Sequence, residues 1–153
     1  MVRSRPRDPR KRDWTMINNL LLAVDADTPN EPIKVAGDLA ELSGATVLVL
    51  HCAEMDTFFD TGTWLDDDTE PRTAVGTAVT QLRERGIKAH GVTARTESPQ
   101  NTAEAIAHPA RFAADILILG LPRLHHVAGV FIGSVAAEVA ARTTTPLLLV
   151  PSS

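Results

Sequence analysis

The chain has 153 residues, of which 44% are hydrophobic and 22% are charged, and its formal net charge is −4. This composition predicts one globular domain with an apolar core and excludes a wholly disordered chain. No apolar run approaches the roughly 18 residues that span a bilayer, which excludes a transmembrane protein. The single cysteine, Cys52, excludes an internal disulfide framework. Together with the lack of a charged start leading into a long apolar stretch, it predicts a cytoplasmic protein.

Residues 1–15 are predicted to form a flexible basic arm ahead of one folded domain at 16–153. The first 13 residues hold six basic side chains, two acids and two prolines, but almost nothing apolar that could offset the entropy of ordering. A weak tether to nucleic acid or to an anionic membrane is one interpretation, and a solvated tail without a binding role is the favoured one. Met16 directly precedes the first strand pattern, so an alternative start there stays open.

From residue 17, apolar runs of strand length alternate with segments of helical period. The first three predicted elements are a strand at 19–25, a helix at about 31–43 and a strand at 46–52. Both strands are continuous apolar runs, as expected for strands that are covered on both faces. Asn30 is expected to cap the helix and Gly44 to end it.

Residues 53–70 break this alternation with seven acidic side chains and three aromatic ones. A metal site is conceivable for the acids, but their spacing does not match a calcium-binding loop. We therefore favour a solvated loop whose aromatic side chains pack on the body of the domain or on a partner.

The second half continues the same alternation. Its predicted elements are a helix at about 71–85, a strand at 87–95, a helix at about 99–113 that Pro109 should kink, a strand at 115–119, a loop at 121–132, a helix at 133–143 and a strand at 147–150. Five strands alternating with four helices predict an α/β fold in one domain: a Rossmann-like, doubly wound parallel sheet with helices on both faces. Ligands of such sheets lie at the carboxyl ends of the strands, where the strand order reverses.

The candidate binding residues follow two of these strands. Asp25 could accept hydrogen bonds from an adenine amino group or ribose hydroxyls, although by itself a turn or cap role is favoured. Gly120 lets the backbone turn and approach a ligand, and Gly133 and Ser134 open a helix whose free amides suit an anion such as phosphate. Arg123 could donate to phosphate oxygens.

Two neighbouring histidines and the cysteine are weaker candidates. His125 and His126 could hydrogen-bond phosphate, but exposed loop polarity is the favoured interpretation. Cys52 has no activating base nearby in the sequence, so a small core residue is favoured over a nucleophile. The chain has no GxSxG, Walker or HExxH motif, so no catalytic residue is predicted, and a metal is expected only with nucleotide phosphates.

Taken together, residues 17–151 resemble the universal stress protein family. The first two strands are similar to the family's own, and the second ends in His51 and Cys52 where the family has His-Val. The most specific match is the run 114–120, then Gly133 and Ser134, then the run 145–151, in this order and spacing.

The resemblance implies ATP binding, with Mg²⁺ accompanying the nucleotide. The family's nucleotide signature is Gly, two residues, Gly, nine residues, Gly, then Ser or Thr; here Arg123 replaces the middle glycine. The resemblance places Asp25 and Cys52 beside the adenine. It places the remaining candidates around the ribose and phosphates: Gly120, Arg123, Gly133, Ser134 and Val135.

The resemblance also implies a homodimer through the last strand, 147–150. That segment is uniformly apolar and is expected at a sheet edge, which a second copy would protect; the alternative is that loops or residues 53–70 cover it. The leading hypothesis is an ATP-binding, dimeric regulatory module of the stress response. The alternatives are a nucleotide-free stress protein that acts by protein contacts, and a slow ATPase, for which no general base is placed.

Overall fold

The computed structural model describes residues 16–24, 28–54, 64–67, 73–96, 113–121 and 134–151. Strands and helices alternate along these ranges, much as the sequence predicts. The elements in chain order are β1 (Asn19–Val24), α1 (Asn30–Ser43), β2 (Thr46–Glu54), β3 (Trp64–Asp67), α2 (Ala74–Glu84), β4 (Ala89–Thr96), β5 (Ile116–Leu121), α3 (Ser134–Arg142) and β6 (Leu147–Pro151). The predicted helix at 99–113 lies, apart from its last residue, outside the described residues.

The strands form one sheet in the order β3-β4-β2-β1-β5-β6. Five of them run parallel, with β1 in the middle, between β2 and β5. Leu20, for example, pairs with Val47 of β2 on one side and with Ile116 of β5 on the other. This arrangement confirms the predicted doubly wound parallel sheet.

Helices cover both faces of the sheet, which explains why its central strands are continuous apolar runs. On one face, Leu22 and Ile118 pack in a core cluster with Ala36 of α1, and α2 contributes to the same cluster. On the other face, Leu117 packs with Val139 of α3. The alternating side chains of β1 and β5 are therefore removed from water on whichever face they point to.

The acidic segment contains a strand that sequence analysis did not predict. Residues 64–67 form β3, which pairs antiparallel with β4, so the expectation of a loop throughout 53–70 is wrong. The sequence of β3, WLDD, shows no alternation of apolar and polar residues. Its strand conformation depends on pairing with β4, whose outer side offers a row of backbone hydrogen-bond partners.

Local signals at the helix ends were only partly predictive. Asn30 is the first residue of α1 rather than its cap, because Pro29 occupies the cap position in extended conformation and makes no side-chain cap bond. Gly44 ends α1 as predicted, in the left-handed conformation at φ 71°, which glycine adopts without strain. Helix α2 begins later than expected, after Thr73, whose Oγ1 accepts a hydrogen bond from the backbone N–H of Gly76 at 2.9 Å.

The helices in the described ranges, α1, α2 and α3, have 14, 11 and 9 residues. In these parts of the chain, no helix is long and apolar enough to cross a bilayer.

Candidate functional site

The strand order reverses between β1 and β5, which are neighbours in the sheet although they are far apart in the chain. After β1 the chain enters α1 on one face, and the helix that follows β5 in the described part of the chain, α3, packs on the opposite face. The helices that follow these two strands in the described ranges therefore lie on opposite faces of the sheet. In doubly wound sheets such a reversal opens a crevice at the carboxyl ends of the two strands, where ligands bind.

The carboxyl end of β1 is held by a histidine of β2. The Nδ1 atom of His51 lies 2.9 Å from the backbone oxygen of Val24, the last residue of β1. A carbonyl oxygen can only accept, so Nδ1 carries the proton and donates, which leaves Nε2 as the acceptor of a neutral ring. Sequence analysis did not single out this contact, and the available signal was a polar residue near the end of an otherwise apolar buried strand.

Gly120 lies at the other side of the crevice, within β5. Sequence analysis expected β5 to end there in a turn, but the strand continues through Leu121, which pairs with Pro151 of β6. A Cβ atom at Gly120 would stand 3.0 Å from Cγ of Pro32, in the first turn of α1. The glycine thus allows α1 to pack closely against the carboxyl end of β5.

Three other predicted site residues lie in described elements. Cys52 belongs to β2, in register with Ala94 of β4, and Ser134 and Val135 are the first residues of α3. Helix α3 ends four residues before β6, and β6 begins at the side of the sheet where the parallel strands have their amino ends. The first residues of α3 therefore lie towards the side with the carboxyl ends of the strands. The remaining candidates lie outside the described residues: Asp25, Arg123, His125, His126 and Gly133.

A second carboxylate that borders a strand serves the fold instead of the crevice. Oδ2 of Asp115 accepts hydrogen bonds from the backbone N–H groups of Asn18 at 2.8 Å and Asn19 at 2.9 Å. These contacts join the entry of β5 to the entry of β1, at the amino edge of the sheet. Sequence analysis assigned no role to this side chain.

The described residues offer no resident metal site. Among them, no group of three or more histidine, cysteine, aspartate or glutamate side chains could hold an ion.

Comparisons with known proteins agree with this architecture. The sequence profile of the universal stress protein family matches residues 16–151. No curated protein sequence matches the chain significantly.

Solved structures show a similar fold at low sequence identity. A universal stress protein from Archaeoglobus fulgidus has a TM-score of 0.62 and 18% identity over 88% of this chain and 93% of its own. A universal stress protein from the same organism in complex with dAMP has a TM-score of 0.61 and 18% identity over 88% and 98%. A universal stress protein in complex with cAMP has a TM-score of 0.60 and 19% identity over 91% and 100%.

Proposed function

The chain belongs to the universal stress protein family, and on this premise we propose that it binds ATP at the carboxyl ends of β1 and β5. The observation that carries the proposal is the reversal of strand order between these two strands. Two structurally similar universal stress proteins are complexes with the adenine nucleotides dAMP and cAMP, which supports an adenine nucleotide as the ligand class.

The proposed contacts divide the nucleotide between the two strands. Asp25, which follows β1, and Cys52, which lies in β2, would flank the adenine. The residues proposed to surround the ribose and phosphates are Gly120, Arg123, Gly133, Ser134 and Val135. The free backbone amides at the start of α3 suit phosphate oxygens, and a guanidinium at position 123 adds charged donors where the family has a glycine.

The chain's own residues would bind and orient the nucleotide, and none is assigned to catalysis. Mg²⁺ would arrive bound to the phosphates and supply charge neutralisation there. We propose that the protein acts as a cytoplasmic, dimeric regulatory module whose contacts depend on the nucleotide, and that residues 1–15 are an arm outside the binding domain at 16–153.

The first experiment asks whether nucleotide is bound at all. Denaturing the purified full chain and separating the released small molecules should yield ATP, and calorimetry of the stripped protein should detect binding of ATP with Mg²⁺. If neither nucleotide nor heat of binding is found, Arg123 closes the site, and the nucleotide-free alternative replaces this proposal.

A matched pair of serine variants then locates the site. Ser134→Ala removes a proposed phosphate donor and should weaken ATP binding by about three- to tenfold, the effect of one hydrogen bond. Ser43→Ala is the control, because Ser43 is the last residue of α1 and lies away from the carboxyl ends of the strands. Its Oγ donates to the backbone oxygen of Leu39 within the same helix. Equal affinities for the two variants would place the nucleotide elsewhere.

A further inference from the structure

His51 of β2 contacts the end of β1 beside the proposed adenine site. Strands β1 and β2 pair in parallel from Asn19 with Thr46 up to Val24 with His51, where their register ends. At this last pair, the imidazole of His51 donates from Nδ1 to the carbonyl oxygen of Val24 at 2.9 Å. A side chain of β2 therefore binds the backbone carbonyl of the last residue of β1.

The contact is suited to hold a fixed geometry. Val24 is 6% exposed and Val49, on the same face of β2 as His51, is fully buried, so the half-buried ring stands on a packed layer. Nδ1 carries a proton both in the neutral tautomer required by this bond and in the charged imidazolium. This donor is present in both forms, so the contact between Nδ1 of His51 and the backbone oxygen of Val24 acts as a brace on the end of β1.

The brace lies one residue from both proposed adenine contacts. Asp25 directly follows Val24, and Cys52 directly follows His51. We infer that His51 is a positioning residue that fixes the adenine side of the nucleotide site by holding the chain that leaves β1. This inference rests on the proposed function, and it concerns a residue that would touch no part of the nucleotide itself.

Two variants separate the donor from the bulk of the ring. His51→Asn keeps a donor, because the asparagine amide nitrogen occupies nearly the place of Nδ1, whereas His51→Leu fills the space without a donor. In the ligand-free full chain, His51→Leu should raise hydrogen exchange of backbone amides at 25–28 by about three- to tenfold, and His51→Asn should stay close to wild type. Exchange in α2 and β6 should not change. No increase at 25–28, or an equal increase in all segments, would overturn the inference.

Binding measurements then test the link to the nucleotide. His51→Leu should weaken ATP binding by about three- to tenfold and leave tripolyphosphate binding unchanged, since the phosphates are proposed to contact the start of α3. His51→Asn should restore most of the ATP affinity. If His51→Leu weakens both ligands equally, its effect is a general loss of structure and the positioning role is wrong.

The two proposals fail in distinguishable ways. If the wild-type chain binds no ATP, the proposed function fails and the adenine part of the inference fails with it. In that case the exchange experiment still decides whether His51 holds the segment after β1. If the wild type binds ATP and both variants bind it equally well, only the inference about His51 is overturned.

Discussion

At the residue scale, the carboxylate of Asp115 stabilises the sheet by connecting β5 to β1. Its Oδ2 accepts two backbone N–H groups, from Asn18 and Asn19, and thereby closes the amino edge of the sheet between β1 and β5. Hydrogen bonds to a charged acceptor are stronger than those to a neutral one. Losing the acceptor leaves two amides, one of them in a part-buried position, to find water instead.

We expect Asp115→Ala to lower the free energy of unfolding by about 1.5–3 kcal/mol, measured by urea denaturation. Asp115→Asn keeps an uncharged acceptor and should lose roughly half as much. The control is Asp38→Ala, which removes an exposed carboxylate from the surface of α1 and should cost less than about 1 kcal/mol. Equal losses for Asp115→Ala and Asp38→Ala would contradict the role of Asp115.

Gly120 offers a test of whether a signature glycine serves the ligand or the fold. A Cβ atom there would press on Pro32 at 3.0 Å, so Gly120→Ala should destabilise the chain by about 1–2 kcal/mol through overpacking. The double variant Gly120→Ala, Pro32→Ala should recover part of this loss, measured as a coupling in a double-mutant cycle. If Gly120→Ala weakens ATP binding without any change in stability, the glycine serves only the ligand.

At the element scale, Arg85 fastens α2 to α1. Its guanidinium donates to Glu41 at 2.9 Å and to Asp38 at 2.8 Å, and Nη1 reaches the backbone oxygen of Lys34 at 3.4 Å. The hydrogen bond with Glu41, and next the one with Asp38, raise the pKa of Arg85 above its ordinary value. Gly37 makes room for this contact, because a Cβ atom there would overlap the guanidinium.

Arg85→Met should lower stability in low salt, and the difference from wild type should shrink when salt is raised from about 0.1 M to about 1 M, because exposed ion pairs are screened. The raised pKa means that the folded state holds the Arg85 proton more tightly. Deprotonation of this group therefore should not reduce stability between neutral and moderately alkaline pH. The measurement is chemical unfolding at each salt concentration, and a difference that does not depend on salt would show that packing, rather than charge, holds the two helices together.

The sequence predicted those strands whose burial is indicated by a continuous run of apolar residues. β1, β2, β5 and β6 are continuous apolar runs, and their predicted limits lie within two residues of the observed ones. β3 was missed because its conformation depends on the edge of β4 rather than on its own composition.

The candidate site at the strand ends is a prediction from the sequence, whereas the contacts around it came only from the structure. The alternation of elements predicts a ligand at the carboxyl ends of the strands, and Gly120, Gly133 and Ser134 predict a phosphate site there, which stays a prediction. The bond between His51 and Val24 joins residues 27 positions apart, and that between Asp115 and Asn18 joins residues 97 apart. Such contacts follow from the register of neighbouring strands, which the periodicity of a single strand does not reveal.

At the scale of the whole molecule, the two outer strands of the sheet differ in how readily they could pair with a second copy of the chain. One edge is β3, a strand of four residues that includes two aspartates, Asp66 and Asp67. The other is β6, which reads LLLVP and, within the described part of the chain, pairs with β5 alone. Short, charged edge strands resist pairing with other chains, whereas an apolar one invites it.

Strand β6, the proposed dimer interface, lies next to a strand that borders the proposed nucleotide site. Gly120 of β5 pairs with Val150 of β6, so the strand that borders the crevice is also the neighbour of the edge strand. A two-fold pairing of β6 strands would place two such sites on one continuous sheet.

Leu148→Lys tests this assembly directly. Leu148 is 36% exposed on β6, and a lysine on an edge strand opposes pairing with a second copy. We expect the wild-type chain to sediment as a dimer and Leu148→Lys as a monomer. Leu42→Lys is the matched control, because Leu42 is 86% exposed on α1 and the same change there should leave the dimer intact. A wild-type chain that stays monomeric across a concentration series, or a Leu148→Lys variant that still dimerises, would show that β6 is not the interface.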